Sequence, residues 1–383
     1  MEAREAPRSA GLLMKASTVS LLWHEPEISS QFQTGVSLHG HTMHSEECLS
    51  FLPRHLYPVP GVSHLVRRYQ RGPEPAVDFS RAYWTPPLSP AGALDLEQGQ
   101  IRNLGLQALV SLTDHDNVEA GIALQVSSPT GVPISTEWTV PYRRTILHLG
   151  IHNLPRNAVR LWMSVMASYT ASPDERLLPQ ILEGLAEIPD VLIVLNHPFW
   201  LEEGISESDH ARALPLALQE CSRWFHAFEL NGTRRWPENR RVIDLAREWS
   251  RPVISGGDRH AAEPSACLNL TNAATFSDFV AEIRSGLSSV LFMPQYREPM
   301  PVRLLEAVWD ILRPYPEYPG RERWVDRVFY RGKDGIARPL ADIWRGRTPW
   351  VIPPAAGLVQ FAAAPGVRFT LRYLLSRQAE ALQ

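Results

Sequence analysis

From Gln31 onward, short apolar segments alternate with stretches of helical periodicity, the pattern expected where parallel strands are linked by crossover helices. The apolar runs predict strands at Thr34–Leu38, Ala108–Leu112, Val132–Ser135, Thr145–Gly150, Val191–Leu195, Ala227–Leu230 and Pro252–Ser255. Helical spacing occupies Pro155–Ala171, Asp174–Ile188 and Asn239–Trp249; the second is broken at Pro179 and the third is preceded by the start signal Pro237-Glu238. Seven strands are close to a closed ring, so the order predicts an α/β barrel.

Two stretches depart from that rhythm. Residues 48–90 are rich in Pro, Tyr and Trp and carry Arg67, Arg68 and Arg71 close together before Ala93–Leu104 resumes as a helix, so they read as an insertion after the first strand. Beyond about Val302 the chain turns rich in Pro, Arg and Trp, with helices predicted at Val302–Leu312 and Phe369–Leu382, the latter apolar at Leu371, Leu374, Leu375 and Leu382. The resulting organisation is a lead segment over 1–33, a barrel over 34–290 and a helical extension over 291–383 that packs on it, because its Leu and Trp residues need burial.

Composition narrows the classes. The 383 residues are 44% hydrophobic and 21% charged, enough to bury a large core. A net charge of −3 supplies no field for holding an extended nucleic acid. Cys48, Cys221 and Cys267 are widely spaced and form no C-x-x-C pair, which argues against a disulfide framework and a thiolate zinc site and fits a reducing cytoplasm. Met1–Ser30 lacks the basic-then-apolar order of a signal peptide, and no run is long enough to span a membrane, so no membrane partner is expected.

The chemistry gathers at the predicted strand ends. His39 and His41 lie two apart after Val36–Leu38 and share a face if strand geometry continues through them. Thr113-Asp114-His115-Asp116 follows the second strand, Glu137 the third, and His148 lies near the end of the fourth; Asn196-His197-Pro198 and Gly256-Gly257-Asp258-Arg259-His260 follow two more. In an α/β barrel these ends build one active face. So many carboxylates and imidazoles at one mouth would be costly to desolvate, and the carboxylates mutually repulsive, unless cations neutralised them.

These segments, taken in order, resemble the PHP (polymerase and histidinol phosphatase) family of metal-dependent phosphoesterases over roughly residues 34–290. His39-Gly40-His41-Thr42-Met43-His44-Ser45-Glu46 is similar to the family's H-x-H-T-x-x-S-D motif, with Glu46 where aspartate is usual. Thr113–Asp116, the Glu137 to His148 spacing, His197-Pro198 and Gly257–His260 resemble the remaining motifs, with Arg259 where a small residue is commoner. The resemblance implies a distorted seven-stranded (β/α)7 TIM-like barrel and two or three divalent ions, Mn, Zn or Fe. It implies a first site of His39, His41, Glu137 and Asp258, a second of Glu137, His148 and His197, and a third of Glu46, His115 and His260, with Glu137 bridging two ions. The extra methylene of Glu46 leaves Glu47 and His44 as alternatives for the third site.

What the resemblance implies for activity is hydrolysis of a phosphomonoester or small phosphodiester, a nucleotide-like substrate foremost, by a metal-bridging hydroxide. Glu137 and Asp258 would hold the ions; Arg259 would meet the phosphoryl group, or brace a ligand carboxylate, with Arg234 and Asn231 as further substrate contacts. The insertion leaves from the active end of the first strand and would act as a lid, offering Phe51, Tyr69, Tyr83 and Trp84 for stacking. The alternatives are a nuclease trimming short oligonucleotides and a metal-binding regulatory module without turnover; the complete ligand set argues against the second.

Overall fold

The structure, a computed structural model, describes residues 17–50, 79–127 and 131–344 together with isolated positions between 357 and 372. Arg67, Arg68, Arg71, Phe51 and Tyr69 of the insertion, and most of Phe369–Leu382, lie outside the described residues.

The strands are β1 (Thr18–Leu21), β2 (Thr34–Leu38), β3 (Glu47–Cys48), β4 (Ala82–Trp84), β5 (Gln107–Ser111), β6 (Thr136–Tyr142), β7 (Thr145–His152), β8 (Leu192–Asn196), β9 (Ala227–Asn231), β10 (Val253–Gly256), β11 (Cys267–Thr271), β12 (Ser289–Phe292), β13 (Val328–Arg331) and β14 (Ala337–Pro339). The helices are α1 (Pro90–Asn103), α2 (Glu119–Ser127), α3 (Val159–Ala171), α4 (Leu178–Ala186), α5 (Glu207–Cys221), α6 (Trp236–Glu248), α7 (Phe276–Arg284), α8 (Met300–Leu312), α9 (Trp324–Arg327) and α10 (Leu340–Trp344). Starts are set locally: Ser89, Ser206 and Thr275 accept from the backbone N–H of Gly92, Asp209 and Asp278, which satisfies a donor the first helical turn would otherwise leave open.

The expected closed barrel is corrected by the sheet topology. Among the described residues the strands form three sheets, in the orders β1-β12-β11-β2-β5, β10-β9-β8-β7-β6 and β14-β13-β4-β3, a mixed α/β architecture. Two features account for the difference. Val132–Ser135 is buried loop, and the strand begins at Thr136, turning back at Arg143 into an antiparallel meander of β6, β7 and β8. The nine residues 136–144 are too few for a crossover helix, which parallel pairing requires. In the first sheet, β11 runs antiparallel to both β2 and β12, while β1 from the lead segment pairs parallel with β12.

Strand parity sets the layers. Leu192 and Val194 of β8, Ala227 of β9, Ile254 of β10, and Val36 and Leu38 of β2 form one buried apolar layer with Phe276, Phe279, Val280 and Ile283 of α7. Alternate residues Ile193, Leu195, Phe228, Leu230 and Val253 face the opposite way, into a core shared with α3, α4, α5 and α6. Leu268, Leu270 and Leu291 pack with Ala93, Leu94 and Ile101 of α1. Burying each Leu or Ile contributes about 1.5–3 kcal/mol, so these layers fix the strand ends that carry the polar residues. Just past those ends, isolated bridges join Gly40 to Arg259 and His115 to Glu137, linking the two five-stranded sheets. In the small sheet β4, from the end of the insertion, pairs with β3 at its start on one side and with β13 from the C-terminal region on the other.

Candidate metal centre

His39 leaves β2 with φ 60, so the strand geometry does not continue through it; His197 and Asp258 take φ 23 and 47. Left-handed backbone at non-glycine residues costs of order 1–3 kcal/mol each and persists where surrounding structure over-determines it. Here it turns side chains inward that a regular strand would alternate. The surrounding pairing is dense: His41 N–H donates to Arg259 O at 2.8 Å, Gly257 N–H to Leu38 O at 2.8 Å and Thr113 N–H to Gly40 O at 2.9 Å.

Three groups of side chains converge within reach of a cation: His39, Glu137 and His197; His39, His41 and Asp258; and His41, Glu47, His115 and His260. Glu137 faces two of the neighbourhoods with different oxygens. Oε2 lies 3.0 Å from His39 Nε2 and 3.4 Å from both His41 Nε2 and His115 Nδ1, whereas Oε1 lies 3.0 Å from His197 Nε2 and 3.8 Å from His148 Nδ1. Asn196 Nδ2 also donates to Oε1 at 3.0 Å. Asp258 divides its oxygens as well. Its Oδ2 accepts from Arg234 at 3.0 Å and from Asn231 and Thr233 at 3.2 Å, leaving Oδ1 directed at His39, His41 and His260 at 3.6–3.8 Å.

The donor set fits divalent cations. His41 Nε2 is buried without a hydrogen-bond partner, 3.4 Å from one carboxylate and 3.7 Å from another, an arrangement a shared cation would satisfy. The protonation pattern leads the same way. Burial alone would lower the His39 and His115 imidazoles, yet Glu137 with Glu229 holds His39 well above its usual value, and Glu137 with Glu47 raises His115. Burial also opposes the charge on His260, but Glu47 and Asp258 raise it to about 9. Burial presses the Glu137, Asp258 and Glu47 carboxyls upward, and the neighbouring imidazoles overcome it, with Arg234 contributing at Asp258, to hold all three low. His41 and His148 are pushed down to about 3, first by burial and then by neighbouring imidazolium charge. Without cations, protons on imidazoles balance the carboxylates; imidazole and carboxylate without thiolate suit Zn, Mn or Fe alike.

The candidate residues separate clearly by position. His39, His41, His115, Glu137, His197, Asp258 and His260 share the three groups, and His148 stands beside them against Glu137. Glu46 does not join them: its carboxylate is 54% exposed and pairs with Arg331 at 3.0 Å, while Glu47 Oε2 lies 3.2 Å from His260 Nε2 and 3.6 Å from His115 Nε2. The reason is parity, since β3 begins at Glu47 opposite Trp84 and neighbouring residues in extended chain point to opposite sides. His44 turns to Glu119 at 3.1 Å.

Arg259, expected either to meet a phosphoryl group or to brace a carboxylate, is buried and directed inward. Its Nε donates to Glu97 Oε1 at 3.0 Å, Nη1 to Ala261 O at 2.9 Å and Nη2 to His41 O at 3.4 Å. The guanidinium crosses Gly40, where a Cβ would sit 3.2 Å from Nη2, which explains the glycine between the two histidines. Arg234 lies at the rim, 3.8 Å above the Trp200 ring, and Asn231 is buried between Glu229 and Asp258. Trp84 lies beside His260, its ring centroid 6.1 Å away.

The sequence reasoning missed Glu97 and Glu229. A signal existed for the second: Glu229 is a lone charge inside the apolar strand Ala227–Leu230, and a buried carboxylate requires a partner.

No protein-family model matches the chain, and no curated protein matches it. Among solved structures it is similar to PsfC from Pseudomonas syringae PB-5123, at 16% identity and a TM-score of 0.36, over 54% of this chain and 83% of that one. It is also similar to a protein from Bifidobacterium adolescentis ATCC 15703 described provisionally as a metal-dependent phosphoesterase, at 13% identity and a TM-score of 0.31, over 52% of this chain and 92% of that one. Likenesses at this level carry no argument about activity, and the chemistry rests on the side chains themselves.

Proposed function

We propose that this chain is a metal-dependent hydrolase of phosphoric esters, acting on a phosphomonoester or small phosphodiester of nucleotide-like size. The observation that carries the proposal is Glu137, whose two oxygens face separate sets of imidazoles and so suit a carboxylate shared between two cations. Glu137 with His148 and His197 would hold one ion, Glu137 with His39, His41 and Asp258 a second, and Glu47, His115 and His260 a third. When bound, divalent ions lower the pKa of water from about 16 toward neutrality and neutralise charge on a phosphoryl group.

The chain's own residues do the positioning. Asn231, Thr233 and Arg234 occupy Asp258 Oδ2, so that carboxylate presents only Oδ1 inward and is held in one rotamer. Arg234, resting on Trp200, is the cation at the rim suited to a substrate oxygen, with Asn231 behind it. Trp84 offers a flat apolar face beside His260 for the part of the substrate beyond the phosphoryl group. A net charge of −3 favours a small substrate over an extended nucleic acid. No helix among the described residues is long and apolar enough to cross a membrane.

The test is turnover by purified protein loaded with Mn or Zn, on a panel of aryl phosphates, nucleotides, sugar phosphates and short oligonucleotides. Hydrolysis of a small ester, abolished in His39→Ala and Asp258→Ala, is the expected result. Full metal occupancy with no hydrolysis of any panel member would overturn the proposal in favour of a regulatory metal-binding module, and preference for oligonucleotides would favour a nuclease.

A further inference from the structure

Glu229 is fully buried and belongs to none of the three candidate ligand groups. It projects from β9 on the same side as Ala227, whose side chain lies in the apolar layer with Val36, Leu192 and Ile254. An acid on that face has to be compensated by specific partners. Its two oxygens lie 3.0 and 3.1 Å from His39 Nδ1, and Asn231 Nδ2 donates to Oε1 at 2.7 Å. The neighbouring strand is shaped around it: Gly256 of β10 pairs in register with Asn231, and a Cβ there would overlap the Glu229 carboxylate. Strand backbone, an amide and an imidazole are thus all arranged about one carboxylate that itself reaches no candidate cation.

The opposite edge of the His39 ring is the one that matters to a cation. Nε2 lies 3.0 Å from Glu137 Oε2 and 3.8 Å from Asp258 Oδ1, and His39 belongs to two of the groups. A ring that could flip, or carry its proton on Nε2, would withdraw that ligand from its cation. His260 shows a milder form of the same restraint, with its Nδ1 3.0 Å from the Asp258 carbonyl oxygen.

Resting on the metal reading above, we propose that Glu229 is a positioning residue of the centre: it accepts the Nδ1–H of His39, fixes the ring's orientation and tautomer, and keeps the Nε2 lone pair directed at its cation. Carboxylates that receive the distal N–H of a ligating imidazole raise its donor strength as well as orienting it, and losing them typically lowers metal affinity about 10–100-fold. Asn231 and Gly256 extend the device by one layer, the first holding the carboxylate and the second leaving space for it.

The experiment compares wild type, Glu229→Gln and Glu229→Ala by Zn(II) competition against a chromophoric chelator and by the visible spectrum of the Co(II)-substituted protein. The Gln variant keeps volume and loses charge, so it carries the test if the Ala variant fails to fold. Zn(II) affinity is expected to fall about 10–100-fold in Glu229→Gln, with an altered Co(II) spectrum and metal-free thermal stability retained. A Gln variant that folds with wild-type Zn(II) affinity and Co(II) spectrum overturns the positioning role and leaves the metal reading intact. If wild type itself binds neither Zn(II) nor Co(II), the metal reading fails and this role with it.

Discussion

Arg259 and Glu97 form a buried ion pair at 3.0 Å that fastens the loop after β10 to helix α1. Arg259 stands between Asp258 and His260, so its anchorage holds the backbone from which two candidate ligands project into the convergent groups. Glu97 also accepts from the Ser265 N–H and the Ser37 hydroxyl, which ties β2, α1 and the loop after β10 to a single carboxylate.

Truncating one partner leaves the other charge buried and uncompensated. Glu97→Ala is expected to destabilise the protein by about 3–5 kcal/mol, read as a lower urea midpoint at unchanged slope. A loss below about 1 kcal/mol, the range of exposed pairs, would show that the pair is not the anchor described.

Glu47 and Glu46 should behave differently. Glu47→Gln is expected to reduce bound metal by about one equivalent per chain, as measured by elemental analysis, because a structural site needs its full ligand set. Glu46→Gln should leave the metal content at the wild-type level, since its partner is Arg331 at the surface. The reverse outcome would return Glu46 to the third site.

The metal-free protein should be most stable near pH 6.5. His41, His148, His152 and His226 have folded-state values lowered to about 3, so below pH 6.5 the unfolded chain takes up protons the folded one refuses, and stability falls as pH drops from 6.5 toward 3. His39, His115 and His260 are raised; their contribution is complete below 6.5 and is lost as pH climbs through the folded value, about 9 for His260. Thermal midpoints across pH with and without chelator would check this. Saturating Zn should remove the alkaline decline, because liganded imidazoles are already deprotonated. A flat profile from pH 5 to 9 in chelator contradicts the assignment.

Arg234→Ala should lower kcat/KM about 10–100-fold while metal content is retained, because Asp258 keeps its Oδ1 but loses a donor that orients it. Steady-state kinetics on any substrate the panel identifies, alongside elemental analysis, would measure both. Unchanged kinetics would remove Arg234 from the site.

The sequence by itself placed metal-competent side chains at the ends of short apolar strands, and seven residues predicted as ligands from their motifs share the three convergent groups. Those features are local: each motif follows a strand within a few residues, and strand ends are legible in hydrophobic pattern. Strand pairing was not. The short span between β6 and β7 could have announced the antiparallel meander, whereas β1, β11 and β12 are four or five residues long and were passed over, so the predicted barrel gave way to three sheets. Only tertiary structure brought Glu47 rather than Glu46 beside His115 and His260, because a shift of one residue in extended chain reverses the face. Only tertiary structure aimed Arg259 inward at Glu97 and brought Glu229 to His39, partners 162 and 190 residues apart, since hydrogen bonds of that separation leave no periodic trace in the chain.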